Sequence, residues 1–314
     1  MNLPSFAEVR DAAARIAPHA LVTPVMRSDR IDALVGAPIV FKCENLQRGG
    51  AFKYRGATNA VWSLAEDEAA RGVVTHSSGN HGNALAMAAR ARGVPAHIVV
   101  PEGAVKAKLD AIVAAGATVH RCEATTAARE AKAAEVQAQT GAVLVHPYAD
   151  ARVMAGQGTV VPEMLRQAPG LDTVLVPVGG GGLASGCAIA AHGMDPSIVV
   201  LAAEPEGADD AARSLEAGAR VGPFAPHTIC DGLRPLMGEP NFHALRDHNV
   251  RVLRVSDAET IAAMRLLWTE LRLVVEVSSA TVLAAALRYP QYLAGRRIGA
   301  VLTGGNVDID ALPW

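Results

Sequence analysis

Short runs rich in β-branched residues alternate with longer alanine-rich windows along this 314-residue chain. Most of the runs are apolar without a polar residue at every second position, which is typical of parallel strands covered on both faces. The alternation predicts an α/β fold with open, twisted, mainly parallel sheets and helices on both faces. The predicted strands are 39–43, 73–76, 96–100, 118–122, 143–146, 173–178, 198–203, 250–255 and 298–302. The predicted helices include 83–92, 105–115, 125–139, 183–192, 257–271 and 279–287.

The charge balance and the cysteine pattern argue against several classes of protein. The chain has 29 Lys and Arg against 31 Asp and Glu, so it lacks the basic excess of a nucleic-acid-binding protein. Its four cysteines lie far apart, and none forms the CxxC pair of a zinc knuckle or a redox dithiol. The uncharged stretch 173–194 is interrupted by Pro177 and four successive glycines, so we do not expect a membrane helix there. The first residues show no apolar signal segment, and we therefore expect a cytoplasmic protein.

A run of four glycines follows the predicted strand 173–178 and opens an alanine-rich helix. Glycines let successive backbone N–H groups turn toward one anion, and the helix N-terminus adds positive potential, so the run predicts a phosphate site. The same stretch also satisfies the dinucleotide pattern G-x-G-x-x-A through Gly179, Gly181 and Ala184, with Glu204 after the next strand. From this loop alone, a nicotinamide-dependent dehydrogenase therefore remains an alternative.

Two further segments carry reactive or anion-binding groups. In the segment 44–57, Lys53 directly follows Phe52 at the predicted start of a helix, after a loop with two glycines. Desolvation near a positive helix end favours loss of the lysine proton, and a neutral amine is what bond formation to a carbonyl carbon requires. The second segment, 75–82, brings hydroxyls, an amide and backbone N–H groups to another helix N-terminus, which suits a carboxylate.

Taken together, these segments resemble the serine/threonine dehydratase and serine racemase family of pyridoxal-phosphate enzymes, which share the fold of the tryptophan synthase β subunit (fold type II). The resemblance extends over nearly the whole chain. It includes Thr23-Pro24-Val25, the Lys53 segment, Ser-Ser-Gly-Asn-His-Gly at 77–82, Ala155-Gly156-Gln157-Gly158-Thr159, the four glycines and Thr303-Gly304-Gly305-Asn306. It implies a large cofactor-binding domain, 1–71 and 146–314, and a small inserted α/β domain, 72–145. The dinucleotide pattern explains neither Lys53 nor the loop at 77–82.

The resemblance also implies roles for individual residues around pyridoxal 5′-phosphate. Lys53 would bind the cofactor covalently, Phe52 would pack against its ring, and Asn80 would hydrogen-bond its ring hydroxyl oxygen. Thr303 would face the ring nitrogen, and Glu276 would lie near the cofactor. A neutral hydroxyl at that nitrogen stabilises a ring carbanion less than a carboxylate does, which favours prompt loss of a β leaving group. The phosphate would be held by backbone amides of Gly179, Gly180, Gly181, Gly182 and Leu183.

The implied reaction is dehydration and deamination of a β-hydroxy amino acid to a keto acid and ammonia. Lys53 would take the Cα proton as general base. The substrate α-carboxylate would be held by Ser77, Ser78, Gly79, Asn80 and His81. Ser78 stands where racemases of the family have a second base, so serine or aspartate racemase is the alternative activity. Arg129 stands where some relatives bind a second carboxylate, which indicates 3-hydroxyaspartate, beside serine and threonine, as a candidate substrate.

A metal site and an assembly state are implied as well. The loop after the predicted strand 198–203 matches the family's Mg²⁺ or Ca²⁺ loop (Mn²⁺ being a further candidate). Glu204 and Asp210 would supply carboxylate oxygens and Ala208 a backbone carbonyl, the oxygen ligands that such hard cations prefer. The metal would be structural or allosteric. The resemblance also predicts a homodimer that acts on a small amino acid, without nucleic acid or membrane as partner.

Overall fold

A computed structural model of the chain describes residues 3–104, 106–222 and 224–314. Its helices are α1 (Phe6–Ile16), α2 (Asp29–Val35), α3 (Lys53–Trp62), α4 (Glu66–Arg71), α5 (Asn80–Arg92), α6 (Lys106–Ala114), α7 (Thr126–Thr140), α8 (Ala151–Gly158), α9 (Val160–Gln167), α10 (Gly182–Met194), α11 (Asp210–Ala217), α12 (Glu239–Asp247), α13 (Asp257–Leu271) and α14 (Val277–Arg288). Its strands are β1 (Val25–Met26), β2 (Ile39–Cys43), β3 (Val73–Thr75), β4 (Ala96–Pro101), β5 (Thr118–Cys122), β6 (Val143–Leu144), β7 (Thr173–Pro177), β8 (Val199–Pro205), β9 (Arg251–Val255) and β10 (Ile298–Leu302).

Local sequence signals explain where many helices begin and end. Ser256 caps α13 in a reciprocal box, in which its hydroxyl accepts the Glu259 N–H and the Glu259 carboxylate accepts the Ser256 N–H. Ser5 caps α1 in the same way. Helices α5 and α7 end at Gly93 and Gly141, which adopt the left-handed conformation that glycine reaches without strain. These helix ends determine where the strands that follow begin.

The larger sheet in the described part of the chain has the strand order β1-β2-β10-β7-β8-β9. All neighbours are parallel except the short β1, which pairs antiparallel with β2. Side chains from its two faces lie in separate hydrophobic clusters: Leu175 and Leu201 face α13 and α14, whereas Val174 and Val200 face α9 and α10. A sheet covered on both faces is what the unbroken apolar runs predict.

The smaller sheet is wholly parallel and has the order β5-β4-β3-β6 within the described residues. One face packs on α3, α5 and α6, and the other face packs on α7. Because the carboxyl ends of parallel strands lie at one edge of a sheet, the loops after β3 and β6 start from the same edge. Among the described helices, none is long and apolar enough to cross a membrane.

All nine predicted strands form, most with ends shifted by one or two residues. Among the described strands, the pattern missed the antiparallel β1, because Pro24 and Arg27 flank its two residues and leave no apolar run, whereas the equally short β6 lies in the run 143–145. The predicted helices also form, several with longer ends than expected. The predicted start of the helix 105–115, Val105, lies outside the described residues. The α/β architecture expected from the sequence is therefore confirmed.

A buried cluster of charges fixes α3 against the larger sheet. The Arg55 guanidinium donates to the Glu44 carboxylate at 2.7 Å and to Glu163 on α9 at 2.8 Å. The Lys42 ammonium on β2 also donates to Glu163, at 2.6 Å. Two cations face two anions, so buried charge is compensated, as interior ions require. Because Arg55 lies two residues after Lys53, this cluster holds the helix turn that carries Lys53.

Candidate active site

Gly179, Gly180 and Gly181 lie in the loop between β7 and α10, Gly182 begins α10, and the backbone N–H groups of this run point to no acceptor among the described residues. No acceptor in the described part of the chain takes the N–H groups of residues 179–183. A Cβ on Gly180 would lie 2.5 Å from the Tyr148 ring, and one on Gly181 would lie 2.7 Å from Asn241. Gly181 also has a positive φ of 94°, which favours glycine. Side chains are therefore excluded from this loop, and five successive donors at a helix N-terminus remain for an anion.

Lys53 begins α3 and its amine lies in a partly buried position. Its Nζ donates to the Pro147 carbonyl at 3.0 Å and lies 5.0 Å from the centroid of the Phe52 ring. Burial lowers the pKa of Lys53 to about 8, and the nearby Glu276 carboxylate partly opposes this lowering. A larger fraction of the amine is therefore unprotonated at neutral pH than in an exposed lysine, which suits attack on a carbonyl carbon.

Ser77, Ser78 and Gly79 form the loop between β3 and α5, and α5 begins at Asn80. The serines and Gly79 are half-buried, and within the described ranges the N–H groups of Asn80 and the next residue have no acceptor. This geometry can receive a carboxylate at a helix N-terminus. The His81 side chain is different: it is buried, with Nε2 3.4 Å from the Val145 carbonyl, and burial keeps its pKa well below the usual value. A contact from His81 to substrate would therefore come from its backbone.

A chain of side-chain amides leads from the loop before α3 to Glu276. Asn306 Nδ2 donates to the Gly49 carbonyl at 2.8 Å and to Asn80 Oδ1 at 2.9 Å. Asn80 Nδ2 then donates to both carboxylate oxygens of Glu276, at 3.2 and 3.1 Å. Since the Gly49 carbonyl can only accept, the orientation of both amides follows from it. Burial raises the pKa of Glu276 to about 7, against the lowering effect of the Asn80 amide.

Thr303 follows β10 and is held from two sides. Its carbonyl accepts the N–H of Phe52 at 2.9 Å, which brings the end of β10 beside the start of α3. Its hydroxyl oxygen lies 3.0 Å from the hydroxyl of Ser279, and both side chains are buried. Ser279 in turn contacts the backbone of Gly304 at 2.7 Å. Since Ser279 donates to the Gly304 carbonyl, the Thr303 hydroxyl is the free donor of this pair, and it stands beside the Lys53 helix.

Histidines at the ends of β3 and β6 were not predicted as site residues. The rings of His76 and His146 meet edge to face, with centroids 5.1 Å apart, and the Tyr148 ring meets His146 at 4.6 Å. Burial lowers the pKa of His146 to about 4 and also lowers that of His76. A signal for them was available, because each directly follows the apolar run of a strand and so lies at the carboxyl edge of the sheet.

Arg129 lies in the first turn of α7, close to this histidine pair. Its charge contributes to the lowered pKa of His76, after the larger effect of burial and the opposing effect of Glu130. The Arg129 side chain is half-buried, and its Nε atom is buried without a hydrogen-bond partner in the described ranges. His76 immediately precedes Ser77, so the guanidinium lies near the loop that is predicted to hold the substrate.

The predicted metal residues lie together after β8, apart from the lysine. Glu204 is fully buried, and its carboxylate accepts the N–H groups of Ala211 and Ala212, both at 3.0 Å. Burial raises its pKa well above the usual value. Asp210 accepts the Met237 N–H through Oδ2, whereas its buried Oδ1 has no partner among the residues described. In those same residues, no group of three His, Cys, Asp or Glu side chains forms a metal cluster.

The structure thus joins most of the predicted residues through short contacts. Phe52, Lys53, Asn80, Glu276 and Thr303 are linked directly or through one intermediate residue. Tyr148, next to the Pro147 carbonyl that Lys53 contacts, packs on the glycine loop and so connects that loop to the same site. A partly neutral amine, a row of anion-binding N–H groups, an amide donor and a hydroxyl fit a cofactor with an aldehyde, a phosphate and a polar ring.

Comparisons with known proteins agree with this chemistry. The chain is 47% identical to a β-hydroxyaspartate dehydratase of Paracoccus denitrificans over 314 residues, which cover 100% of both proteins. It is 46% identical to a serine racemase of Arabidopsis thaliana over 309 residues, 97% of this chain and 93% of that protein. The solved structure of maize serine racemase matches with a TM-score of 0.97 at 44% identity, covering 98% of this chain and 95% of that one.

These similarities confirm the expected fold class, that of type II pyridoxal-phosphate enzymes. The family model described as pyridoxal-phosphate dependent enzyme matches residues 16–304. The chain therefore belongs to the family of pyridoxal-phosphate dependent enzymes.

Proposed function

We propose that this protein is a pyridoxal-phosphate-dependent ammonia-lyase that dehydrates and deaminates 3-hydroxyaspartate to a keto acid and ammonia. The observation that carries this proposal is the partly buried amine of Lys53 with its lowered pKa, held in the same site as the unpaired N–H groups of residues 179–183. The similarity to a β-hydroxyaspartate dehydratase over the full length of both chains supports the substrate. Serine and threonine are the further candidate substrates.

When bound, pyridoxal phosphate supplies an electron sink for the negative charge that develops at the substrate Cα. Lys53 would hold the cofactor and, once exchanged for the substrate amine, would take the Cα proton as general base. Asn80 would donate to the ring oxygen, and the glycine loop with Leu183 would hold the phosphate. Together, the Cα proton and the β-hydroxyl would be lost as one water, and hydrolysis of the resulting enamine by one water would give the keto acid and ammonia.

The hydroxyl pair of Thr303 and Ser279 would favour elimination if it faces the ring nitrogen, as the resemblance implies. Ser279 Oγ donates its hydrogen to the Gly304 carbonyl and accepts the Gly304 N–H, both at 2.7 Å, so toward Thr303 it can act only as an acceptor. The Thr303 hydroxyl, held in place by Ser279, would turn its hydrogen to the ring nitrogen of the bound cofactor. A neutral hydroxyl partner would leave the bound ring unprotonated, and since an unprotonated ring takes up less negative charge, this partner would favour prompt loss of the β leaving group.

Arg129 is our candidate for recognition of the second substrate carboxylate. Its guanidinium lies near His76, at the start of the substrate loop, and its buried Nε lacks a partner in the described chain. An arginine–carboxylate contact is charge-assisted and can be bidentate, which distinguishes a dicarboxylic substrate from serine.

Racemisation is a second candidate activity, carried by Ser78. Its half-buried side chain has no hydrogen-bond partner in the part of the chain that is described, so its hydroxyl is available to substrate. A proton removed by Lys53 on one face of the Cα could be replaced by Ser78 on the other. The similarity to serine racemases supports this activity as an alternative or a side reaction.

Glu204, Ala208 and Asp210 would hold a divalent cation, with Mg²⁺ as the candidate and Ca²⁺ or Mn²⁺ as alternatives. The Asp210 Oδ1 is buried and unpaired, and the Ala208 carbonyl accepts no hydrogen bond from the described residues. Two carboxylates and one carbonyl, completed by water, fit a hard cation. This cation would stabilise the loop after β8 and take no part in the chemistry.

The domain division and the assembly state complete the proposal. Residues 72–145 would form the small domain, since they supply every strand of the smaller sheet as described. Helix α3 precedes this range, yet packs in the same hydrophobic cluster, so it would connect the domains. We further propose a cytoplasmic homodimer.

The decisive experiment is a keto-acid release assay over both stereoseries of 3-hydroxyaspartate, serine and threonine, combined with chiral analysis of the remaining substrate. Lys53→Ala should abolish cofactor attachment and turnover. Arg129→Leu should raise KM for 3-hydroxyaspartate roughly tenfold or more and leave KM for serine unchanged, because a charge-assisted bond contributes about 1.5–3 kcal/mol. Arg121→Leu, an exposed arginine on β5, is the matched control. Turnover in Lys53→Ala, or release from none of these substrates, would refute the proposed function.

A further inference from the structure

The loop 146–150, between β6 and α8, contacts both parts of the site that bind the cofactor. The Pro147 carbonyl oxygen lies 3.0 Å from Lys53 Nζ. The next residue, Tyr148, fills the space against Gly180, where a Cβ would come within 2.5 Å of its ring. The position of this one loop therefore sets the surroundings of the reactive amine and the shape of the anion-binding loop.

The His146 side chain holds this loop through one ring nitrogen. Its Nδ1 accepts the N–H of Tyr148 at 3.3 Å and the N–H of Ala149 at 3.0 Å. A nitrogen that accepts two N–H groups must carry a lone pair, so the ring hydrogen is on Nε2. Burial, with a smaller contribution from His76, lowers the pKa of His146 to about 4 and keeps the ring neutral.

We propose that His146 is a positioning residue: its unprotonated Nδ1 fixes the loop so that the Pro147 carbonyl remains within hydrogen-bond distance of the Lys53 amine. Pro147 has no N–H to donate, so the N–H groups that close the turn onto Nδ1 are those of Tyr148 and Ala149. The Tyr148 carbonyl accepts from Asn241 at 3.1 Å, which holds the far side of the loop but not the Pro147 carbonyl. Loss of the two bonds to Nδ1 would release the Pro147 carbonyl from the amine. This inference rests on the proposed function of Lys53 as the residue that binds the cofactor.

The contact has a measurable consequence for the amine. A carbonyl binds an ammonium group more strongly than a neutral amine, so the Pro147 contact favours the protonated form of Lys53. Glu276 acts in the same direction, whereas burial opposes both. The amine also lies near the neutral His81 and His146 rings, whose own lowered pKa values it helps to cause. Removal of the carbonyl should lower the pKa of Lys53 further, by about 0.5–1 unit.

Two substitutions of His146 test whether an acceptor at the position of Nδ1 is what the loop requires. In His146→Asn, the side-chain oxygen takes the place of Nδ1 and can accept the N–H groups two and three residues on, as asparagine does in turns. In His146→Gln, the acceptor lies one bond further out and cannot close the loop. His243→Asn, at a half-buried histidine on α12 that contacts Glu239 and lies outside this loop, is the matched control.

The readout is the pH dependence of the rate at which the full chain, stripped of cofactor, captures pyridoxal phosphate, followed by visible absorption. We expect the midpoint to fall by about 0.5–1 unit in His146→Gln and to stay at the wild-type value in His146→Asn and His243→Asn. An unchanged midpoint in the glutamine variant, or equal changes in both His146 variants, would overturn the inference. If Lys53→Ala captures cofactor as well as wild type, the proposed function fails instead.

A second measurement reads the protonation of His146 directly in the wild-type protein. The ¹⁵N NMR spectrum of the wild-type holoenzyme should show His146 with a hydrogen on Nε2 and none on Nδ1 from pH 5.5 to 8. The His146 signals would be assigned from their absence in His146→Asn. A protonated Nδ1 anywhere in this range would contradict the proposed role.

Discussion

Glu276 is a carboxylic acid buried beside the candidate cofactor site, and its replacement by glutamine should change how stability depends on pH. Only 7% of the residue is exposed, and burial raises its pKa from 4.5 to about 7. The folded state therefore holds this proton more tightly than the unfolded state, and the stability that it contributes is lost as pH rises from about 4.5 to 7. At about 1.4 kcal/mol per pKa unit, the full loss is about 3 kcal/mol.

The assay is urea unfolding of the full chain without cofactor, from pH 5 to 8.5. Glu276→Gln has similar size and keeps an acceptor for Asn80, but it does not ionise. The difference in the free energy of unfolding between the variant and wild type should therefore rise by about 2–3 kcal/mol, in favour of the variant, from pH 5 to pH 8. Glu239→Gln, on the surface of α12, is the control, and its free energy of unfolding should change with pH in parallel with that of wild type. Parallel profiles for Glu276→Gln as well would refute the raised pKa and the burial argument behind it.

Three further substitutions test other parts of the site. Gly180→Ala should destabilise the protein by about 1–3 kcal/mol in thermal unfolding and weaken cofactor binding, because the added methyl group would meet the Tyr148 ring. Wild-type stability and cofactor affinity would show that the loop can adjust. Ser279→Ala should lower the ratio of keto-acid release to racemisation roughly fivefold, the value of one hydrogen bond of about 1 kcal/mol. An unchanged ratio would exclude the hydroxyl pair from the choice of outcome. Asp210→Asn should abolish the stabilisation by saturating Mg²⁺, about 2.7 kcal/mol at a concentration 100-fold above Kd. If chelator lowers the melting temperature of wild type and variant equally, Asp210 is not a ligand.

Much of the fold could be predicted because its signals are local. Runs rich in β-branched and apolar residues marked nine of the ten strands in the described part of the chain, and a serine cap or a terminal glycine marked several helix ends. The strand β1 escaped prediction because no such run marks it, and it forms through its pairing with β2. The order of the larger sheet, with the final strand β10 between β2 and β7, is equally a property of long-range pairing.

The site divides in the same way. The sequence, with the family resemblance that its motifs carry, determined which residues can do chemistry: a lysine at a helix start, four glycines whose N–H groups can turn toward one anion, and a hydroxyl at the end of a strand. These depend on residue type and on neighbours in the chain. Only the tertiary structure decided that Lys53 and Glu276 have pKa values moved toward neutrality and that His146 stays neutral with Nδ1 as acceptor. Proton affinity depends on how much water and which charges surround a group, and those surroundings come from segments that lie far apart in the chain.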